Sequence, residues 1–162
     1  MKISLQQNVR LQARLLRWTL VAVLTSCLPA FAALGGTTDS VRADQAQMKA
    51  SLTIERNNAY TLHEMKTPGG TLVREYVSPS GVVFGLSWQG PFVPDMHQLL
   101  GEYFERYSES AKRQRESHVG RRPLNLQEPG LIVQTAGHMR AYSGRAFDPD
   151  LLPAGVVSDD IR

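Results

Sequence analysis

Between Tyr60 and Trp88 three extended runs are joined by turns too short for any crossover. The runs are Tyr60 to Lys66, Thr71 to Ser78 and Val82 to Trp88, and the connections are Pro68-Gly69-Gly70 and Pro79-Ser80-Gly81. Parallel neighbours need a dozen or more residues to return the chain, whereas antiparallel neighbours need as few as two. Consecutive strands at this spacing form hairpins, and three of them form an antiparallel meander. The third run alternates most clearly. Val82, Phe84, Leu86 and Trp88 fall on one face, and Val83, Gly85 and Ser87 on the other. A glycine inside such a strand is expected to mark a bulge or the close approach of another backbone, which singles out Gly85.

A meander needs a cover for its apolar face, and the next segment supplies one. Asp95 is a good N-cap, with Gln98 in capping-box position. Met96, Leu99, Leu100, Tyr103, Phe104, Tyr107 and Ala111 then recur at helical spacing, while Glu102, Glu105, Arg106 and Glu109 mark the wet side. A thinner helix is predicted from Ser40 to Ser51. Val41, Gln45, Met48 and Leu52 form its stripe, with Arg42, Asp44 and Lys49 on other faces, and Asn57-Asn58 is a turn beyond it. Downstream, Leu124 to Gln127, Leu131 to Thr135 and Met139 to Phe147 read as strands, turned at Glu128-Pro129-Gly130 and Ala136-Gly137-His138. The final "LLPAGVVSDDIR" is irregular, but its Leu151, Leu152, Val156 and Val157 predict that it packs back on the domain. The expected fold class is α+β: an antiparallel sheet, a meander plus C-terminal hairpins, packed against one amphipathic helix, with a short N-terminal helix.

The first 32 residues are a separate problem. Met1 to Arg17 carries Lys2, Arg10, Arg14 and Arg17 and no acid; Trp18 to Phe31 is almost wholly apolar; Ala30-Phe31-Ala32 follows a small-x-small pattern. That order describes a secretory signal peptide cleaved after Ala32, leaving residues 33–162 as one exported domain, periplasmic or secreted. The apolar run is shorter than the roughly 20 residues a membrane-spanning helix needs, and Pro29 breaks it. Leu24-Thr25-Ser26-Cys27 offers an alternative, a lipobox whose lipidated Cys27 would anchor the protein to a membrane. The four cations of the leader also account for the basic balance of the whole chain. Without them fourteen Lys and Arg face fifteen Asp and Glu, a net charge of −1. Nucleic acid is therefore not the expected partner.

Catalytic chemistry finds little footing. His63-Glu64 opens like a zinc-protease motif, but Thr67 stands where the second histidine belongs, and neighbours in a strand point to opposite faces. The exported part has no cysteine, so a zinc site would have to come from His63, His97, His118 and His138 with carboxylates; no motif arranges them so, and no cofactor or metal is expected. Gly81, Gly85 and Gly90 interrupt one strand rather than joining strand to helix, so they do not form a phosphate loop. Ser143-Gly144 lacks the nucleophile-elbow context. A hydrolase would have to assemble its site in tertiary structure around His138, Ser143 and a carboxylate. In Lys112 to Arg122, "KRQRESHVGRR", cations gather at a helix end where the dipole favours them, and no aromatic residue interleaves them to stack bases. The surface that survives pairs Arg74 with Tyr76 on one face of the second run and Arg140 with Tyr142 on one face of the last, with Arg145 on that strand's other face. Such residues suit partner or anion recognition, although they are also ordinary half-wet sheet positions.

The segments "ALGGT" (Ala33 to Thr37), "REYVSPSGVVFGLSWQGP" (Arg74 to Pro91), "PDMHQLLGEYF" (Pro94 to Phe104), "GHMRAYSGRAF" and the closing "LLPAGVVSDDIR" resemble the domain of unknown function 2844 family of exported proteobacterial proteins. The resemblance implies export and one domain reaching the C-terminus, and it carries no activity, cofactor or catalytic residue. The expectation is a non-enzymatic exported protein that binds an envelope protein or an anionic ligand through Arg74, Tyr76, Arg140, Tyr142 and Arg145.

Overall fold

The computed structural model describes residues 34–117 and 123–162. The leader, Cys27, and the end of the basic run with His118, Arg121 and Arg122 lie outside the described residues. Seven strands form a single antiparallel sheet: β1 (Ser51–Arg56), β2 (Thr61–Lys66), β3 (Leu72–Val77), β4 (Val83–Gly90), β5 (Asn125–Glu128), β6 (Leu131–His138) and β7 (Ala141–Phe147), in the order β1-β2-β3-β4-β7-β6-β5. The predicted meander is β2-β3-β4. The C-terminal hairpins join its edge through β4–β7 pairing, from Gly85 opposite Phe147 to Gly90 opposite Tyr142. The expected α+β class is therefore the observed one.

β1 is the element the sequence pattern missed. Helix α1 (Thr38–Met48) ends earlier than predicted because Lys49 turns left-handed, at φ 51°, and the Lys49 and Ala50 amides donate back to Ala46 and Gln45 carbonyls. Ser51 to Arg56 is thereby released as an edge strand. The Asn57 turn then joins β1 to β2, its Oδ1 accepting from the Ala59 and Tyr60 amides.

The amphipathic helix has the predicted cap but not the predicted continuity. Asp95 Oδ1 accepts from the His97 and Gln98 amides at 2.9 and 3.2 Å. Helix α2 (Met96–Leu100) is followed by a 3₁₀ turn (Gly101–Tyr103) and then by α3 (Phe104–Ser117), the break falling at Gly101 with φ 49°. Gln98 does not close a capping box; its Nε2 donates to Asp44 Oδ1 of α1. α3 is tied to the β5–β6 turn by Arg106, which donates to the Pro129 carbonyl, and by Arg113, 2.8 Å from Glu128 Oε1.

Both faces of the sheet are covered, by different parts of the chain. The three helices and Leu34 cover one face over Met65, Val73, Val77, Leu86, Trp88, Leu131 and Val133. On the other, Val156 and Ile161 of the tail pack on Tyr76, Phe84 and Phe147, with Leu151 and Leu152 beside them. Double cover explains why six consecutive residues of β4, Val83 to Trp88, are buried.

It also corrects the predicted faces of β4. Tyr76 pairs with Gly85 but Val77 with Val83, so Phe84 is the extra residue of a β-bulge. The bulge transfers Phe84 from the face of Leu86 and Trp88 to the tail side, where its ring meets those of Tyr60 and Tyr76 at 6.0 and 6.1 Å. Gly85 answers to the tail: a Cβ there would lie 2.7 Å from Ile161 Cδ1.

A second correction concerns the last hairpin. Ala136, Gly137 and His138 are not a turn but the end of β6, paired with Ser143, Tyr142 and Ala141. The turn is Met139-Arg140, with Arg140 left-handed at φ 66°. Arg140 therefore caps a hairpin tip and does not share a strand face with Tyr142.

Candidate functional site

Cross-strand register decides which predicted residues meet. Arg74 of β3 stands opposite Ser87 of β4, Ser87 opposite Arg145 of β7, and Arg145 opposite Gln134 of β6. These positions, with Glu64 of β2 opposite Arg74, form one row on the tail side. Arg74 Nε donates to Glu64 Oε2 at 2.9 Å and its Nη1 to the Arg162 carbonyl at 3.2 Å. Tyr76, one row over, donates to the same carbonyl at 2.8 Å and accepts from the Arg162 amide at 3.0 Å. Arg145 Nε donates to Gln134 Oε1, and its Nη1 to the carbonyls of Ser158 and Ile161 at 2.7 and 3.3 Å. Three of the five predicted recognition residues thus converge, and they hold the chain's own C-terminal segment.

Tyr142 lies on the opposite face, as the strand period requires of a residue three positions from Arg145. With Trp88, Val93, Met96, Tyr107 and Leu124 it lines a cleft of about 900 Å³ between α3 and the β6–β7 hairpin. Trp88 is fixed there by Gly144, its cross-strand partner: a Cβ at Gly144 would overlap the indole ring. The rim is open and mixed, with Met139 75% exposed and Val93 51%, beside exposed Arg115 and His138. Burial in the cleft wall raises the Tyr107 phenol above its ordinary pKa.

His138 and Ser143 also border this cleft. Ser143 stands opposite Ala136 and His138 opposite Ala141, so the two are diagonal neighbours, with Cβ atoms roughly 7–8 Å apart. His138 Nδ1 faces the Met139 carbonyl at 3.2 Å, and no carboxylate is among the described residues that line the cleft. A base held to backbone, without an acid behind it, is poorly arranged to activate a serine.

The sequence reasoning missed a third cluster beneath α1. Asp44 and Glu75 are 1% and 2% exposed, with Gln98 and His63 buried beside them. Burial pushes the Asp44 carboxyl up to about 7, and burial plus the neighbouring Asp44 pushes Glu75 well above the carboxylate range. Gln98 Nε2 donates to Asp44 Oδ1; Asp44 Oδ2 and Glu75 Oε2 have no hydrogen-bond partner among the described residues. Two carboxyls so placed are stable when they hold a proton between them. His63, across the strand pair from Glu75, has its pKa lowered, first by burial and then by Arg56 and Arg42. The signal was present: Glu75 alternates with Val73 and Val77, and Asp44 falls three residues after Val41. Among the described residues no three His, Cys, Asp or Glu side chains are grouped to hold a metal ion, and no helix is long and apolar enough to cross a membrane.

A family model described as "Protein of unknown function (DUF2844)" matches residues 30–161. No curated protein and no solved structure shows significant similarity to the chain.

Proposed function

Because the chain belongs to this family of proteins of unknown function, no inherited activity directs its reading, and we propose that it is an exported, non-enzymatic binding protein whose partner seats in the helix-side cleft. The observation that carries the proposal is the cleft itself. Its volume of about 900 Å³ and its aromatic and methionine lining match the size and chemistry of ligand sites. Its rim leaves Met139 and Val93 in solvent, and exposed apolar groups beside a concave wall are the usual mark of a contact surface. Of the five residues expected to recognise a partner, Tyr142 remains available here, while Arg74, Tyr76 and Arg145 are engaged by the tail. Export is supported by the basic start, the apolar run and Ala30-Phe31-Ala32.

The test places a photoreactive residue at position 139 of the full precursor in the exporting cell, with position 55 on β1 as the control. The expected result is a discrete adduct at 139 that is absent at 55 and is lost when Val93→Asp is added. Equal adducts at both positions, or none at either, refute the reading. The intact mass of the processed chain tests export separately: an N-terminus at Ala33 supports a free exported protein, an acylated Cys27 makes it a lipoprotein, and an uncleaved chain removes the premise.

A further inference from the structure

The tail-side row contains a group that its surroundings leave unsatisfied. Ser87 is 3% exposed, and its hydroxyl has no hydrogen-bond partner among the described residues, a rare state for a buried polar atom. It sits between two arginines in direct cross-strand register, Arg74 on one side and Arg145 on the other. Each guanidinium is braced twice. Its Nε is held by a side chain, Glu64 for Arg74 and Gln134 for Arg145, and its Nη1 by tail carbonyls. The remaining nitrogen, Nη2, makes no hydrogen bond in either arginine among the described residues. Arg74, Ser87 and Arg145 line one pocket of about 420 Å³, together with Gln89, Ser143 and Arg162.

We propose that this pocket is an oxyanion site, which takes the phosphate or carboxylate group of a small anionic ligand between Arg74 and Arg145, above Ser87. Three features carry the assignment. Guanidinium groups match the planar and tetrahedral oxygens of such groups, and bracing at Nε and Nη1 leaves little side-chain freedom to lose when Nη2 binds. The side-chain charges beside the pocket are three arginines against two acids: Glu64, paired with Arg74, and Asp159, 3.6 Å from Arg145 and 87% exposed. The hydroxyl of Ser87, without a partner among the described residues, donates to an oxygen seated between the two arginine arms. Gln89 and Ser143, on the next row, extend the lining toward the polar body of the ligand. The site is on the opposite face from the cleft argued above, and it does not depend on that reading.

The experiment is calorimetric titration of the processed chain with inorganic phosphate in one arm and galacturonate in the other. Four proteins are compared: wild type, Ser87→Ala, Arg162→Ala and Arg42→Ala. Arg42 is an exposed cation paired with Asp39 on α1, which covers the opposite face of the sheet, so its variant controls for screening by salt. Saturable binding is expected in at least one arm, weakened roughly tenfold by Ser87→Ala and by Arg162→Ala, as loss of one charge-assisted hydrogen bond predicts, and unchanged by Arg42→Ala. The arm that binds more tightly identifies the source of the oxyanion. Ser87→Ala removes a hydroxyl that bonds to no other described residue, so an unchanged thermal midpoint in that variant shows that its lost affinity is local. Absence of saturable binding in both arms, or equal weakening by Arg42→Ala, overturns the proposal.

Discussion

Replacing Asp44 by Asn should flatten the dependence of stability on pH. In the folded protein burial raises the Asp44 carboxyl from 3.8 to about 7, with Asp95 adding to the rise and hydrogen bonds from Gln98 and Glu75 opposing it. The unfolded chain loses that proton near its ordinary pKa, so between the two values the folded state holds more protons than the unfolded one. Stability then falls as pH rises, by about 1.4 kcal/mol per unit for each retained proton. Over a window of about three units the penalty from Asp44 is on the order of 4 kcal/mol, fully present by pH 7 and absent below pH 4. Glu75, raised further by burial and by Asp44, acts in the same direction and extends the decline above neutrality. Asn at position 44 keeps the oxygen that Gln98 binds, offers an N–H to Glu75 and takes up no proton. The variant should match wild type near pH 4 and exceed it by several kcal/mol at pH 8. For a domain of this size that difference is about 10 °C or more in thermal midpoint. The assay is thermal unfolding by circular dichroism from pH 4 to pH 8 on both proteins. The difference between them isolates the pair from every other titrating group. Parallel curves, or a variant less stable than wild type at pH 8, would refute the shared-proton account.

Four further outcomes follow from contacts already described. Ile161→Ala empties the fully buried position over Gly85 and should cost about 2–5 kcal/mol by denaturant titration. Tyr76→Phe removes both hydrogen bonds to Arg162 and should cost about 1–2 kcal/mol, with faster amide exchange confined to the last few residues. Gly144→Ala forces the Trp88 ring out of its seat and should cost about 3 kcal/mol, with a red-shifted tryptophan emission as the ring gains water. Tyr103, 2.7 Å from Asp148 Oδ2 and buried, has its phenol pushed up to about 12, so ultraviolet titration should show a tyrosine step near pH 12 that Tyr103→Phe removes.

Local signals were enough for most of the fold. Turn chemistry and strand period yield the meander and the C-terminal hairpins, and the Asp95 cap with its apolar stripe yields the covering helix. Failures occur where a residue's face depends on a partner far along the chain. The alternation of Val82, Phe84, Leu86 and Trp88 looks unbroken, but Phe84 is pulled to the other side because the tail offers it Ile161 and Val156. Ser51 to Arg56 has alternating Leu52 and Ile54, yet the helical spacing of Leu52 with Val41, Gln45 and Met48 competes for it, and a single left-handed residue, Lys49, decides the matter. The candidate site was legible by residue type and not by occupant. Residue type points to Arg74, Tyr76 and Arg145 as residues for partner or anion recognition, but the segment they hold is the chain's own tail, and Tyr76 and the residue that meets it are 86 positions apart.

That same long-range closure determines where a site can exist. A sheet covered on both faces offers a ligand access only where the covers stop. Ala136 to Ala141, at the β6–β7 tip, is exposed, while Ala146 and Phe147 of the same hairpin are buried. Both clefts open at this boundary, and Thr135, Ala136 and Ser143 border each of them. The two clefts therefore share one strand pair as a common wall, and Trp88, packed against Gly144 beside it, borders both. A substitution that loosens that contact should disturb both clefts together. One that empties the tail-side core, such as Ile161→Ala, should disturb the tail-side cleft alone.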